Sequence, residues 1–188
     1  MDKKVLILDV DDVLVECCMV YQMNRFLGTN YKVGDFKGYF MQDIVDCPKQ
    51  RAELINYCLT SEMYLDVPSM PDAERIVERL NEKYDLYICT DPFGRDWGER
   101  FGWKIEQTYR MLKERFPYIR TRQLILAQNK RLLKADVFID DRPMNLEGDI
   151  KTKLLFSAWH NKEHSQEELE KAGITRVDNW KEIEKILL

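Results

Sequence analysis

The stretch Val5-Leu-Ile-Leu-Asp9-Val-Asp11-Asp12-Val13-Leu14 decides how the rest of the chain is read. Four consecutive apolar residues that stop at an acid suit a strand buried on both faces of a parallel sheet, too short for an ordinary helix. Comparable runs recur at Leu86-Tyr-Ile-Cys89 before Thr90, at Leu124-Ile-Leu126, at Val137-Phe-Ile139 before Asp140, and at Lys153-Leu-Leu-Phe156. Helix-length amphipathic stretches separate them. Pro71-Asp-Ala-Glu opens one, with Pro near its first turn and Ile76, Val77 and Leu80 at helical spacing. Trp97 to Phe116 holds another, with Phe101, Ile105, Tyr109 and Leu112 on its expected apolar face. Shorter helices are expected at Glu167 to Lys171 and Trp180 to Leu187. This alternation predicts a Rossmann-like three-layer α/β/α fold around a parallel sheet.

Residues 16–70 break the alternation. They hold no convincing buried strand, only helical patches at Val20 to Phe26, Met41 to Val45 and Ala52 to Leu59. The expected organisation is a catalytic core of residues 1–15 and 71–188, with residues 16–70 inserted after the first strand as a small helical cap.

The chain has 188 residues and a formal charge of −4, with 45% hydrophobic and 33% charged residues, which excludes a disordered or low-complexity polymer. That balance carries no electrostatic footprint for duplex nucleic acid or an anionic membrane. No segment reads as a signal peptide or membrane span, so the expected address is the cytoplasm. Cys17, Cys18, Cys47, Cys58 and Cys89 make an odd count without a CxxC pair and are expected as reduced, mostly buried thiols. Neither Cys17 nor Cys18 has a base beside it, so a thiol nucleophile is rejected.

In an open parallel sheet, ligands sit beyond the carboxyl ends of the strands. Asp9 and Asp11 repel one another unless a proton or cation intervenes, and hard oxygen ligands suit Mg²⁺. Thr90 offers a hydroxyl for an anionic oxygen, and Lys130 a cation beside the acid pair Asp140-Asp141. Each feature alone has a bland alternative: an acidic turn, a turn-forming threonine, a solvated lysine, or a helix cap at Asp-Asp-Arg-Pro. Arg131 and Lys134 compete with Lys130 for its role. His160 and His164 have no pattern with the acids that would make a metal site, and Trp103 and Trp180 are expected in the core.

Taken in order, acid pair, hydroxyl, lysine and acid pair resemble the four motifs of the haloacid dehalogenase (HAD) superfamily of phosphohydrolases. Within it the chain is most similar to the 5'(3')-deoxyribonucleotidases, through Ile88-Cys-Thr-Asp-Pro92, Lys130 ten positions before Asp140, Ile139-Asp-Asp-Arg-Pro143, Trp159-His-Asn161, Val177-Asp-Asn-Trp-Lys-Glu-Ile183 and Met63-Tyr-Leu-Asp-Val67. The resemblance implies a Mg²⁺-dependent phosphatase of nucleoside monophosphates, deoxyribonucleotides above all. Asp9 is its nucleophile and Asp11 its acid and base. Thr90 and Lys130 bind phosphoryl oxygens, and Asp91 lies beside them. The metal is held by Asp9, the Asp11 carbonyl and Asp141, with Asp140 in support, although sequence cannot rank two adjacent acids. Tyr39, Phe40, Tyr64 and Phe93 are the candidate surfaces for a base. A homodimer is compatible with this reading. Asp12 stands where these enzymes usually have Gly, Asp91 where they have Ser, and the cap diverges. The competing readings are a phosphatase of another small phosphomonoester, a receiver-like phosphoacceptor module, and a catalytically inactive binding protein.

Overall fold

The computed structural model describes residues 3–36, 40–92 and 101–188. Strands β1 (Val5–Leu8), β2 (Asp85–Thr90), β3 (Leu124–Leu126), β4 (Lys134–Asp140), β5 (Asp149–Phe156) and β6 (Ile174–Val177) form one sheet. Their order is β3-β2-β1-β4-β5-β6 and every neighbouring pair is parallel. Chain order reverses at β1, between β2 and β4, so a crevice opens beyond the carboxyl ends of β1 and β4.

The two-residue strand period explains why β1 is apolar at every position. Leu6 and Leu8 enter a cluster with Ile76 and Leu80 of helix α3 (Ala73–Lys83), Met111 and Leu112 of α4 (Phe101–Arg115), and Trp180 and Ile183 of α6 (Trp180–Leu187). Ile7 enters the opposite cluster, with Phe138, Leu155 and Leu169 of α5 (Gln166–Lys171). Both faces are therefore covered, and a polar residue in β1 would be buried whichever way it pointed.

Helices α1 (Cys18–Leu27) and α2 (Pro48–Cys58), with the 3₁₀ turns Val33–Asp35 and Met41–Ile44, build a third cluster from Val20, Met23, Phe36, Met41, Val45 and Leu54. The chain leaves and rejoins the sheet side by side, since Val15 and Ser69 form an isolated bridge. Met63, Tyr64 and Val67 pack into the large cluster under the sheet, and Trp159 reaches from the sheet side to Phe36 at a ring separation of 6.2 Å.

Several expectations shift. Strand β6 is absent from the sequence reading because its four residues, Ile-Thr-Arg-Val, form an edge with only two buried side chains. Pro71 precedes the cap of α3 instead of occupying its first turn. Asp72 is the N-cap with φ 66° and makes no capping bond, because its carboxylate is drawn to Arg75 and Lys181. The buried face of α4 is Gln107, Thr108, Met111 and Leu112, not the line through Ile105 and Tyr109; Tyr109 is exposed. Among the cysteines only Cys58 and Cys89 are buried, Cys47 is exposed, and all five are free. Trp103 is half-buried and donates to the Ser61 carbonyl, whereas Trp180 is fully buried as expected. Tyr39, Phe93 and the start of the expected helix at Trp97 lie outside the described residues. Among those residues no helix is long and apolar enough to cross a membrane.

Trp180 Nε1 donates to the Val13 carbonyl at 2.9 Å, tying the last helix to the turn after β1. Trp180→Phe leaves that carbonyl without its partner and should cost about 1–3 kcal/mol in urea unfolding, with the native circular dichroism spectrum retained. Burial pushes the Cys58 and Cys89 thiols up to about 12; the half-buried Cys17 and Cys18 are held well above the ordinary range by loss of solvent together with the nearby Asp11 charge. At pH 8 a thiol reagent should therefore titrate Cys47 rapidly and the other four only after denaturation, and Cys47→Ser should remove the fast phase.

Candidate active site

Asp9 is the residue at which β1 ends, and its backbone N–H donates to the Ile139 carbonyl at 3.0 Å, which brings the ends of β1 and β4 together. Three amides, those of Val13, Leu14 and Val15, turn back on the Val10 carbonyl, so the chain curls immediately after the strand. Asp12 completes that curl with φ 58°, a conformation in which glycine is relaxed and Asp is among the better tolerated side chains. The glycine usual here in the resembled family thus has a conformational reason, and the carboxylate is an addition to a turn that still forms.

Lys130 lies in the 3₁₀ turn Lys130–Leu132 after β3 and is 3% exposed. Its ammonium donates to Asp9 Oδ1 at 2.7 Å and to Asp140 Oδ2 at 2.9 Å. The competitors Arg131 and Lys134 are spent elsewhere, on Glu147 and Asp149. Gly148 permits the placement of this turn: a Cβ there would lie 2.8 Å from the Arg131 carbonyl oxygen. Burial opposes the charge on Lys130, but Asp140 and Asp9 outweigh it and hold its pKa well above the ordinary value.

Asp140 and Asp141, adjacent in sequence, do different things. Asp140 is fully buried; its Oδ1 accepts from the Arg142 N–H and from Asn145 Nδ2, both at 2.9 Å, while Oδ2 takes Lys130. Asp141 faces the crevice and pairs with His160 Nε2 at 2.7 Å. Asn161 Nδ2 donates to the Asp141 carbonyl at 2.7 Å and to that of Phe156 at 2.8 Å, bracing the loop that carries His160. The sequence shows no pattern of His160 with the acids, because its partner is 19 residues away on another strand end, but the fold brings it against Asp141 and within ligand distance of Asp12.

Asp11 is held by two groups that the sequence reading assigned otherwise or missed. Lys104 of α4 donates to its Oδ2 at 2.9 Å, and the Tyr64 hydroxyl to its Oδ1 at 3.2 Å. Tyr64, expected to offer its ring to a base, is buried behind Asp11, with its hydroxyl also 3.2 Å from Thr108 Oγ1. The apolar spacing of α4 points Ile105 and Tyr109 inward, whereas Lys104, Thr108 and Met111 share its true inner face.

Thr90 ends β2 and is 1% exposed, and its Oγ1 has no hydrogen-bond partner among the described residues. A buried hydroxyl in that state costs stability unless a ligand completes it. Asp9, Thr90, Asp91, Lys104, Lys130 and Asp141 line a cavity of about 470 Å³, and Phe40, Met41 and Gln42 contribute to its wall from the inserted segment.

Charge density dominates this cavity. Burial, partly offset by Lys130 and reinforced by Asp140, pushes the Asp9 carboxyl up to about 6. Burial raises Asp140 and Asp141, and burial with the Asp141 charge raises Asp12 well above the usual range. Asp11 goes the other way: burial opposes its charge, but Lys104 and Tyr64 more than compensate and lower its pKa. Oxygens of Asp9, Asp140 and Asp141 lie within 4.8 Å of one another, as do ligand atoms of Asp12, Asp141 and His160. Asp9 and Asp141 of the first set offer hard carboxylate oxygens that fit Mg²⁺, both Asp140 oxygens being engaged already, and a cation there would favour the charged carboxylates that burial and neighbouring acids disfavour.

Comparison with known proteins agrees with this arrangement. Residues 3–188 match the family described as "5' nucleotidase, deoxy (Pyrimidine), cytosolic type C protein". The 5'(3')-deoxyribonucleotidase of Bacillus subtilis (strain 168) is 28% identical over 188 residues, covering 99% of this chain and 99% of the relative. That of Clostridium acetobutylicum is 27% identical over 170 residues, covering 88% of each. Among solved structures, a HAD hydrolase from Bacillus subtilis bound to magnesium aligns with a TM-score of 0.59 at 11% identity, over 100% of this chain and 99% of that one. A phosphoserine phosphatase trapped as a phospho-aspartyl intermediate analogue aligns at 0.50 and 15% identity, over 100% of both chains. These structural likenesses bear on the fold, which is that of HAD hydrolases. With strand-end acids, lysine and threonine in one cavity and a match running from residue 3 to the last residue, the chain belongs to the 5' nucleotidase, deoxy (pyrimidine), cytosolic type C family.

Proposed function

We propose that this chain is a Mg²⁺-dependent phosphatase of deoxyribonucleoside 5'- and 3'-monophosphates, acting in the cytoplasm, with residues 16–70 as a cap over residues 1–15 and 71–188. The observation that carries the reading is the pairing of a buried Thr90 hydroxyl, without a partner among the described residues, with a buried lysine that spans Asp9 and Asp140 in the same cavity. A phosphoryl group placed there completes the hydroxyl and meets the ammonium.

The reaction falls in two halves. A carboxylate oxygen of Asp9 forms a bond to phosphorus as the bond to the ester oxygen breaks, and Asp11 gives that oxygen its proton. Water then attacks phosphorus, Asp11 takes the proton, and Asp9 is released with inorganic phosphate. Asp11 rests ionised beside Lys104, which suits the second half; the first requires it to take up a proton before the ester bond breaks. Lys104 and Tyr64 hold this carboxylate toward the leaving group, and Thr90 and Lys130 bind the equatorial oxygens. Asp9 and Asp141, with the Asp11 carbonyl, would hold the metal, because both Asp140 oxygens are already engaged. When bound, the metal supplies positive charge that lets nucleophile and phosphate approach. Phe40 contributes an exposed ring to the base end of the cavity. The free thiols of all five cysteines suit a reducing compartment.

Asp9→Asn should lower turnover by at least about a thousandfold while thermal unfolding stays cooperative. Near wild-type turnover would remove Asp9 as the nucleophile. Chelation with EDTA should abolish phosphate release and added Mg²⁺ should restore it. In a panel of deoxy- and ribonucleoside 2'-, 3'- and 5'-monophosphates with sugar phosphates, deoxyribonucleotides should give the highest kcat/KM. Equal rates on sugar phosphates would leave a phosphatase of other small monoesters, and release that stops near one phosphate per chain would leave a receiver-like module.

A further inference from the structure

Thr108 has no part in the chemistry above. It lies on the inner face of α4, is 0% exposed, and follows Lys104 by one helical turn. Valine has nearly the same shape and would fill that place with no polar atom. A hydroxyl there costs free energy unless it is bonded, and Thr108 Oγ1 lies 3.2 Å from the buried hydroxyl of Tyr64.

The direction of that bond follows from its neighbours. The Tyr64 hydroxyl has a single hydrogen and lies between Thr108 Oγ1 and Asp11 Oδ1, each at 3.2 Å. An ionised carboxylate can only accept, so the tyrosine hydrogen goes to Asp11 and Thr108 donates to the tyrosine oxygen. The result is a chain from Thr108 through Tyr64 that ends on one oxygen of Asp11, while Lys104 donates to the other at 2.9 Å. Residues i and i+4 of one helix thus govern both oxygens of Asp11, Lys104 directly and Thr108 through the tyrosine. The same helix fixes the tyrosine: Met63 N–H donates to Gln107 Oε1 at 3.3 Å, and Arg115 Nη2 donates to the Tyr64 carbonyl at 3.2 Å.

We infer that Thr108 is a positioning residue for the reaction: it commits the Tyr64 hydrogen to Asp11 and so, with Lys104, fixes the plane of that carboxylate. The inference rests on the phosphatase reading, in which Asp11 gives a proton to the leaving oxygen and later takes one from water. Such transfers require the carboxyl group within hydrogen-bond reach of the reacting oxygen and aligned with it. Without the threonine hydroxyl the tyrosine oxygen loses its donor, its hydrogen is no longer directed, and the carboxylate is held firmly from the Lys104 side alone. The consequence differs among substrates. A deoxyribonucleoside leaves as an alkoxide that needs the proton, whereas 4-nitrophenolate is a stable anion that departs without one.

The test compares kcat/KM for thymidine 5'-monophosphate and for 4-nitrophenyl phosphate, using the full chain with Mg²⁺, because kcat/KM covers the steps up to departure of the leaving group. Both rates are read on one preparation, so the fraction of folded enzyme cancels in their ratio. In Thr108→Val, and equally in Thr108→Ala, the ratio of nucleotide to 4-nitrophenyl phosphate should fall by about tenfold. Thr108→Ser, which restores the hydroxyl, should return it to within about twofold of wild type. Tyr64→Phe should lower the ratio at least as far, and Thr108→Val added to it should lower it no further, as for two groups acting in one chain. Equal losses on both substrates in Thr108→Val would show a packing role alone; that result, an unchanged ratio, or additive losses in the double variant each overturn the inference. Asp11→Asn should lower the ratio more than any of these variants. An Asp11→Asn enzyme that keeps the wild-type ratio overturns the acid role of Asp11 in the reading beneath, and the inference with it.

Discussion

A single ammonium group, that of Lys130, holds the ends of two neighbouring strands in their working relation. It reaches Asp9 beyond β1 and Asp140 at the end of β4 within 2.9 Å, in a place where lysine is 3% and Asp140 0% exposed. A charge removed from water to that degree is stable only when paired, and breaking such a pair by deleting one partner costs about 3–5 kcal/mol. The arrangement therefore constrains everything near it. Gly148 must lack a side chain so that the Lys130 turn can settle, and Asn145 and the Arg142 amide must satisfy the remaining oxygen of Asp140. With Asp140 so engaged, Asp141 is the acid left to face the cavity.

A second lysine organises the other carboxylate. Lys104 and Tyr64 converge on Asp11 from α4 and from the segment that leads out of the inserted helices. The same α4 face grips that segment farther along: Gln107 accepts from Met63 N–H, and Arg115 donates to the carbonyls of Val67 and Tyr64. Position of the inserted helices and position of the Asp11 carboxylate are consequently coupled through one helix. A displacement of residues 61–67 would be felt at Asp11 through Tyr64.

Much of the site was legible because its parts sit at strand ends, where buried apolar runs announce themselves and the residue after each run is conspicuous. Asp9, Asp11, Thr90, Lys130, Asp140 and Asp141 all fall there or in the adjoining turns. Lys104 did not stand out and His160 showed no pattern with the acids, since a lysine on a helix and a histidine in a loop look like ordinary solvated side chains. What distinguishes them is a carboxylate brought from 93 or 19 residues away. Strand β6 was missed for a similar reason: an edge strand buries one side and carries a weak apolar signal.

By itself the sequence determined the layer architecture, the order of the chemical groups and the helical character of the segment between β1 and α3. Those follow from local apolar periods and from which residues terminate them, and neither depends on distant partners. Tertiary structure alone decided the division of labour between Asp140 and Asp141, the reassignment of Tyr64 from a base surface to a hydrogen-bond donor, and the recruitment of Lys104. These depend on which way a side chain points and what lies opposite it within a few ångströms. Charges in a buried site act over such distances, and no spacing along the chain encodes them.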